Sequence, residues 1–218
     1  MKVIYEIFRW IGVISGLPAQ WIYFKKKIYY EEGAVRARKI RGGALIICNH
    51  FCPLDYVMNV LTFFPRKLYV VASEDAFRTK GLVFGMKFWG GIKADRVTRS
   101  MSFVKESVRE LKNGHLVMIF PEGHNTPDGT IKAFYPSYIV IALLTGVPII
   151  PLAIDGNYGL TKRTHMIIGK PICLSDYLGG RKHTREDVDQ LNDIVRQKVL
   201  DLRAELDRRI EADRRKGK

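Results

Sequence analysis

Hydrophobic runs along the chain predict the strands of a buried sheet. Four of them cover residues 44–49, 68–73, 116–120 and 147–154, with apolar side chains at consecutive positions. A strand with one exposed face would alternate apolar and polar residues, whereas a continuous run is typical of a strand covered on both faces. The stretch 164–174, THMIIGKPICL, predicts an outer strand followed by a turn.

Segments with helical spacing separate or follow these runs. Residues 100–114 place apolar side chains on one face and end at a glycine, and residues 136–146 predict an apolar helix. A long helix is predicted for residues 184–215, with Thr184 as its cap and Asp187 three residues later. Strands alternating with helices predict an α/β fold, a single domain with a mostly parallel central sheet flanked by helices.

The first 33 residues depart from this pattern. Residues 3–24 are apolar and aromatic over most of their length, but Glu6 and Arg9 interrupt them, and charges near a bilayer centre are costly. We therefore expect an amphipathic pair of helices broken at 16–18, lying at a membrane interface rather than spanning it. A helix packed on the core is the alternative. Residues 34–218 form the predicted catalytic domain.

The net charge of +14 and the pI of about 9.8 require an acidic partner. Nucleic acid, an anionic membrane and an acidic carrier or substrate all meet this requirement. The lysines and arginines are dispersed and no nucleic-acid-binding motif occurs, so we expect no nucleic acid partner. Three cysteines do not make a disulfide framework, which favours a cytosol-facing location.

The stretch CNHFCPLDY, residues 48–56, is the first candidate site. Its two cysteines lack a zinc-binding spacing, so no metal is expected, and a cysteine two residues from the histidine faces it poorly. If a helix starts near Pro53, Asp55 in its first turn accepts the Nδ1–H of His50 and leaves Nε2 free to take a proton. Asn49 would hold the turn. A structural histidine satisfied by a carboxylate is an equal alternative.

A second polar stretch, FPEGHNTPDGT at residues 120–130, follows a predicted strand. Loops at the carboxyl edge of a parallel sheet are where binding sites of α/β proteins collect. Glu122 can bind a hydroxyl or a cation there, and Gly123 allows a backbone N–H to approach a ligand. Taken alone, the stretch is better explained as a turn, because of its Pro, Gly, Asn and Asp content.

Together these motifs resemble the glycerolipid acyltransferases, whose bacterial type acylates lysophosphatidic acid. The resemblance rests on four motifs in order within residues 49–151: NH-x₄-D, GIKADR, FPEG and VPIIP. It covers about residues 40–170, and the N-terminal segment also resembles the membrane motif of that family. One motif alone would be weak, but four in order are specific.

The resemblance implies a role for each matching residue. His50 would act as general base, with Asp55 orienting it, on a lysophospholipid hydroxyl that attacks the thioester of acyl-CoA or acyl-carrier protein directly. Arg96 would hold the acceptor phosphate, Glu122 would contact the glycerol, and the loop around Gly123 would supply oxyanion donors. No cofactor is implied. The protein would work in phospholipid biosynthesis, associated with the cytoplasmic face of a membrane.

Two departures from the family pattern concern the acceptor. The family usually continues Pro-Glu-Gly with Thr-Arg-Ser, whereas this chain has His-Asn-Thr at 124–126, and a following family lysine is also absent. Three cations are candidates to replace them as phosphate contacts: Lys132, Lys162 and Arg163. A different lysolipid acceptor, or a relative that binds lipid without catalysis, is therefore an alternative to 1-acylglycerol-3-phosphate.

Overall fold

The structure of the protein, a computed structural model, describes residues 2–73, 90–94 and 101–216. The strands within these ranges build one seven-stranded sheet. In chain order they are β1 (Lys27–Tyr30), β2 (Ala44–Cys48), β3 (Leu68–Ser73), β4 (Gly91–Ala94), β5 (Leu116–Ile119), β6 (Ile149–Ile154) and β7 (His165–Ile168).

The strands lie side by side in the order β1-β7-β6-β2-β5-β3-β4. Every neighbouring pair is parallel except β6 and β7, which are antiparallel. This confirms the predicted α/β fold with a mostly parallel sheet. The carboxyl ends of β2, β5 and β6 meet at one edge, and the antiparallel β7 begins at that same edge.

The α-helices within the described ranges connect or cover the strands. In chain order they are α1 (Lys2–Ala19), α2 (Leu54–Phe63), α3 (Ser102–Lys112), α4 (Ser137–Thr145), α5 (Ser175–Leu178) and α6 (Arg185–Lys216). A π-helical segment, Gln20–Phe24, continues α1, and Ala37–Lys39 form a 3₁₀ turn.

The core lies on both faces of the sheet, as the continuous hydrophobic runs predict. The central strand β2 is buried along its whole length. Ile46 and Cys48 pack on the side covered by α1 and α2, whereas Leu45 and Ile47 pack against α3, α4 and the first half of α6. The second half of α6 lies on β6 and β7.

The predicted break of the first helix at residues 16–18 is wrong. Helix α1 runs through Gly16 and Pro18 to Ala19, and the wider π-helical turns follow it. Val13 is buried in the core, and Gly16 lies against Leu61 of α2. Packing of this face stabilises the helix, and a proline in its last turn disrupts few backbone hydrogen bonds. No helix in the described ranges has the length and apolarity that crossing a membrane requires.

Two edge strands were not predicted from the sequence. Strand β1 lies within the segment assigned above to N-terminal helices, and it pairs with β7. Strand β4 lies at the other edge and pairs with β3. Each has only four residues and carries polar side chains, so neither forms a hydrophobic run.

The start of α6 is as predicted. The Thr184 hydroxyl oxygen accepts the Asp187 backbone N–H at 3.2 Å, and the Asp187 carboxylate accepts the Thr184 backbone N–H at 2.7 Å. This reciprocal pair satisfies two backbone donors at the helix start. The carboxylate also binds the Arg181 guanidinium, so the loop before the helix is fixed to its first turn.

Candidate active site

The turn between β2 and α2 brings His50 and Asp55 together. Strand β2 ends at Cys48, Pro53 precedes the first residue of α2, and Asp55 lies in the first helical turn. The Nδ1 atom of His50 is 2.7 Å from Oδ2 of Asp55. This is the contact that the sequence analysis expects, and it leaves Nε2 as the ring nitrogen available to a substrate.

The Asp55 carboxylate is fully buried, and several donors compensate its burial. Its Oδ2 atom accepts the backbone N–H groups of Phe51 at 2.6 Å and Cys52 at 3.0 Å. Its Oδ1 atom accepts the hydroxyl of Tyr158. These bonds fix the carboxylate in place, so the bond to the His50 ring has a rigid partner.

The His50 ring is further held by an aromatic neighbour. It stacks on the Phe120 ring, with centroids 4.0 Å apart and planes 15° from parallel. The His50 carbonyl accepts hydrogen bonds from the backbone and the hydroxyl of Thr126 at 2.8 and 2.9 Å. The side chain remains 16% exposed, so the ring is fixed and also accessible.

Asn49 links the ends of two neighbouring strands. Its side-chain oxygen accepts the Ile154 backbone N–H at 2.9 Å, and its nitrogen donates to the Ile154 carbonyl at 3.1 Å. Asn49 thus extends the pairing of β2 with β6 beyond the last strand residue. It anchors the turn, and its amide is used within the protein.

Glu122 is fully buried and holds the turn around His50. Its carboxylate accepts the backbone N–H of His50 and that of Lys132, each at 3.0 Å, and the hydroxyl of Thr126 at 3.3 Å. The contact with glycerol that the resemblance implies stays a prediction. In this structure both oxygens bind groups of the protein, which gives Glu122 a structural task next to the base.

Gly123 occupies a turn position that favours glycine, with a φ of 73°. Its backbone N–H donates to the Phe120 carbonyl at 3.1 Å. That N–H is therefore engaged within the turn. The expected oxyanion donors of this loop stay a prediction, and they require either another N–H or a rearrangement on substrate binding.

A loop after β6 passes close to the histidine turn. A Cβ atom on Gly156 would lie 2.3 Å from the Phe51 ring, and the φ of 67° also favours glycine. The same loop carries Tyr158, whose hydroxyl reaches Asp55. The loop 155–164 is thus part of the site, although the sequence analysis assigns none of the catalytic roles to it.

The cysteines of the turn are poor nucleophiles. Burial, together with the negative charge of Asp55, raises the pKa of both the Cys48 and the Cys52 thiol. The thiolate forms that would react are therefore disfavoured. Within the part of the chain that the structure describes, no three His, Cys, Asp or Glu side chains gather as metal ligands.

The cations expected at the acceptor phosphate are spread out. Arg96 lies outside the described residues. The Lys132 side chain is exposed, and its backbone N–H binds Glu122. Lys162 and Arg163 are also exposed, on the loop 155–164. The backbone of Lys132 is thus linked to that of His50 through the Glu122 carboxylate.

Two polar contacts near the site have no sequence signal. Tyr158 and Asp55 are separated by 103 positions in the chain. His165, at the start of β7, has its Nδ1 atom 2.7 Å from Oδ2 of Asp155, which forms a second histidine–aspartate pair. The first contact arises because the order of the strands brings distant loops to the same edge of the sheet, whereas the second joins the two ends of the loop between the antiparallel strands β6 and β7.

A fixed histidine with a buried carboxylate at the carboxyl edge of an α/β sheet defines the class of the protein. A model of the Acyltransferase family matches residues 27–155, more than half of the chain. The chain belongs to this family and is an enzyme, an O-acyltransferase. This confirms the resemblance drawn from the four motifs and the acyltransferase prediction.

The chain is similar to particular members of that family. The 1-acyl-sn-glycerol-3-phosphate acyltransferase of Bacillus subtilis is 25% identical over 187 residues, which cover 83% of this chain and 89% of that protein. The enzyme of the same name from Haemophilus influenzae is 24% identical over 208 residues, 88% of this chain and 84% of that protein. The Limnanthes douglasii enzyme is 27% identical over 189 residues, and the match covers 84% of this chain and 64% of that longer protein.

A solved structure shares the fold. The 1-acyl-sn-glycerophosphate acyltransferase PlsC from Thermotoga maritima matches with a TM-score of 0.57 and 21% identity, over 91% of this chain and 78% of that one. The likeness supports the fold described above, a mostly parallel sheet flanked by helices.

Proposed function

We propose that this acyltransferase moves a fatty acyl group from a thioester to the hydroxyl of a lysophospholipid, with 1-acylglycerol-3-phosphate as the acceptor and phosphatidic acid as the product. The names of its relatives support this acceptor. The donor would be acyl-CoA or acyl-carrier protein, and no cofactor would take part. The reaction belongs to phospholipid biosynthesis.

The observation that carries the mechanism is the bond between His50 Nδ1 and Asp55. Because Nδ1–H donates to the carboxylate, Nε2 is the basic nitrogen and accepts the proton of the acceptor hydroxyl as its oxygen attacks the thioester carbonyl carbon. The tetrahedral intermediate then expels the thiolate, which takes the proton from the imidazolium. Asp55 keeps the tautomer and stabilises the transient positive charge.

The raised pKa values of the cysteine thiols support direct transfer. An acyl-enzyme would need a nucleophile beside His50, and burial of Cys48 and Cys52 disfavours their thiolate forms. The two-step route through a cysteine is therefore the weaker mechanism. A single attack by the acceptor hydroxyl needs the base and a place for each substrate.

A separate observation supports an acceptor with a different head group. Residues 124–126 lack the arginine of the family pattern, and the side chains of His124 and Asn125 are exposed beside the Glu122 turn. Arg96 is proposed to hold the acceptor phosphate, with Lys132 as a second cation. A lysolipid with a different head group is the second candidate acceptor.

An exposed apolar surface on the first helix and on the π-helical segment after it supports work at a membrane. Its side chains, the apolar face, are Ile7, Ile11, Ile14, Trp21 and Ile22. The charged residues of the segment turn the other way: Arg9 is buried and donates to the Leu68 carbonyl at 2.9 Å, and Glu6 pairs with Lys67. We propose that this face lies in the headgroup region of the cytoplasmic side.

The lysines that follow the apolar face have partners within the protein. Burial, with Arg38 nearby, lowers the pKa of Lys26 to about 7, and its Nζ donates to Thr62 at 3.0 Å. Lys27 pairs with Asp213. Attraction of anionic lipid by these lysines stays a prediction, and apolar contact is the better supported part of membrane binding.

The test of the mechanism is the His50→Ala variant in an assay for free thiol. With acyl-CoA and a panel of lysolipids, we expect wild-type transfer with 1-acylglycerol-3-phosphate, and a loss of about 10²–10⁴-fold in the variant because the base is gone. The variant should keep the wild-type melting temperature and its binding to vesicles.

The matched control is His183→Ala, which removes an exposed histidine in the loop before α6. Its activity should equal that of the wild type. Transfer by His50→Ala at the wild-type rate would end the mechanism. Wild-type transfer to a lysolipid other than 1-acylglycerol-3-phosphate would keep the mechanism and change the acceptor.

A further inference from the structure

A second concave site lies at the carboxyl edge of the sheet, beyond the His50 turn. It is a cavity of about 510 Å³ between the start of β1 and β7, the loop 155–164 and the last turns of α6. We call it the basic cavity. Its cationic lining side chains are Lys27, Lys162, Arg163 and Arg214.

Three of these four cations have no ion-pair partner among the described residues. The carboxylate that lines the cavity, Asp213, binds Lys27 Nζ at 2.6 Å and the Tyr29 hydroxyl. Among the residues that the structure describes, Lys162, Arg163 and Arg214 make no side-chain ion pair. Several unpaired cations around one recess create a positive potential that favours an anion.

His165 adds a polar group to the cavity wall. Its backbone N–H and its Nδ1 atom both contact the Asp155 carboxylate, at 3.0 and 2.7 Å. The ring is thereby fixed, and Nε2 is the nitrogen left for a ligand. A ring held by a carboxylate at the edge of an open cavity is typical of binding sites, as well as of catalytic ones.

The register of the sheet gives the distance from the base to this cavity. Leu152 of β6 pairs with Cys48, and Ile154 pairs with Met166, so His165 lies at about the level of His50. Neighbouring strands are about 4.8 Å apart, which places β7 roughly 10 Å and β1 roughly 14 Å from β2.

This distance separates the two substrates. In 1-acylglycerol-3-phosphate the reacting hydroxyl is only about four bonds, or roughly 5 Å, from the phosphorus, at the reach per bond of an extended chain. With its hydroxyl at His50, the acceptor phosphate therefore falls short of the roughly 10–14 Å to strands β7 and β1. In coenzyme A, roughly 13 bonds separate the sulfur from the nearest phosphorus, and these span about 15 Å when extended.

We propose that the basic cavity binds the phosphates at the nucleotide end of an acyl-CoA donor, with Lys162 and Arg163 as their main contacts. The inference rests on the proposed function, because it places the thioester at His50. It assigns Lys162 and Arg163 to the donor phosphates, whereas the sequence made them candidate contacts of the acceptor phosphate. A recess of this volume matches a small ligand, whereas an acidic carrier protein would dock on a broader surface.

The experiment measures donor binding directly. The full chain in detergent is titrated by calorimetry with free coenzyme A and with adenosine 3′,5′-bisphosphate, for the wild type and for the double variant Lys162→Gln/Arg163→Gln. We expect the dissociation constants of both ligands to rise at least about 10-fold in the variant, as loss of charged hydrogen bonds to phosphate implies. The KM for acyl-CoA should rise similarly, and the acceptor KM less than about twofold.

The matched control is Lys182→Gln/Arg185→Gln, which makes the same charge change at exposed positions. Arg185 and Arg214 stand at opposite ends of α6, about 40 Å apart at the rise of an α-helix. Coenzyme A should bind this control like the wild type. Coenzyme A should also bind His50→Ala with wild-type affinity. The binding assay therefore tests this proposal even if His50 proves not to be the general base.

Three results would overturn the proposal. The first is unchanged affinity for coenzyme A in the double variant. The second is a rise in the acceptor KM without a rise in the acyl-CoA KM, which would return the two cations to the acceptor. The third is weaker binding to anionic vesicles with coenzyme A affinity intact, which would assign the cavity to the membrane surface.

Discussion

The carboxylate of Asp55 is held by every group that surrounds it. The His50 ring, two backbone N–H groups and the Tyr158 hydroxyl all donate to it. Burial, with the charge of Asp55, raises the pKa of Tyr158, so its proton stays on the phenol and the bond stays a donation to Asp55. We therefore infer that Tyr158 is a positioning residue for the proposed catalytic pair.

Replacing Tyr158 by phenylalanine tests this role. Without the hydroxyl, the Asp55 carboxylate loses one of its hydrogen-bond donors and holds the His50 ring less rigidly. We expect kcat to fall about 3- to 10-fold, in line with the loss of one buried hydrogen bond. The KM values for the acceptor and for acyl-CoA should change by less than about twofold, because the hydroxyl acts through the base and not on substrate binding.

Tyr177→Phe is the control, since Tyr177 is an exposed tyrosine of α5. It should leave kcat and both KM values unchanged. A Tyr158→Phe enzyme that loses stability but keeps the wild-type kcat would show that the hydroxyl only supports packing of the loop.

Among the elements, α6 depends on charges at its start. Two hydrogen bonds lower the pKa of Asp187 below its ordinary value. The bond from the Arg181 guanidinium has the larger effect, and the bond from the Thr184 backbone N–H has the smaller one. A carboxyl whose pKa is lower in the folded state stabilises the fold while the pH is above its unfolded pKa, which is about 3.9. This stabilisation is lost as the pH falls below that value.

The variant Asp187→Asn should show this dependence. The amide cannot bind Arg181 and the Thr184 N–H as a carboxylate does, so we expect the melting temperature at pH 7 to fall by about 2–5 °C. The difference from wild type should shrink as the pH falls from about 4 to about 2, because the Asp187 carboxyl of the unfolded chain then becomes protonated and the unfolded state gains stability relative to the folded one. Thermal unfolding followed by circular dichroism measures both.

The control is Asp189→Asn, which removes the same charge two residues further along α6, where the side chain is exposed. Its melting temperature should stay within about 1 °C of the wild type, as for most surface changes. A constant difference between Asp187→Asn and wild type from pH 7 to pH 2 would contradict the assigned role of the ionised carboxylate.

For the whole molecule, the surface is divided between apolar and cationic parts. On the apolar face, the exposed fraction of Trp21 is 73% and that of Ile11 is 57%. The basic cavity lies at the edge of the sheet where the strands β2, β5 and β6 end. An enzyme with a lipid acceptor and a water-soluble donor needs contact with a bilayer as well as with solvent. Under the two proposals, the apolar face would contact the bilayer and the basic cavity would bind the donor.

The double variant Ile11→Glu/Trp21→Glu tests the membrane part. Placing charges on the apolar face opposes its insertion among lipid chains, so co-sedimentation with vesicles that contain anionic lipid should fall at least about 10-fold. The melting temperature in detergent-free buffer should not fall, because both side chains are exposed.

The control is Leu144→Glu/Tyr177→Glu, which adds the same charges at exposed apolar positions of α4 and α5. Its vesicle binding should drop by less than about twofold, the part due to net charge alone. Equal losses in both double variants would mean that net charge, and not the apolar face, holds the protein on the membrane.

The periodicity of the sequence determined the class of fold and the inner elements. Continuous apolar runs mark β2, β5 and β6 because these strands are covered on both faces. The edge strands β1 and β4 were not predicted, because a short, half-buried strand has no continuous apolar run. Helix α1 was predicted to break because proline chemistry is local, whereas its packing against Leu61 of α2 depends on residues distant in the chain.

The sequence by itself also determined the His50 and Asp55 pair, since five residues across a strand-to-helix turn set their geometry locally. Only the tertiary structure decided that Tyr158 completes the pair, that Glu122 binds the turn behind His50, and that Lys162 and Arg163 share a cavity with Lys27 and Arg214. The physical reason is strand order. The antiparallel insertion of β7 between β6 and β1 brings the loop 155–164, the start of β1 and the last turns of α6 to one edge, and no local pattern encodes that arrangement.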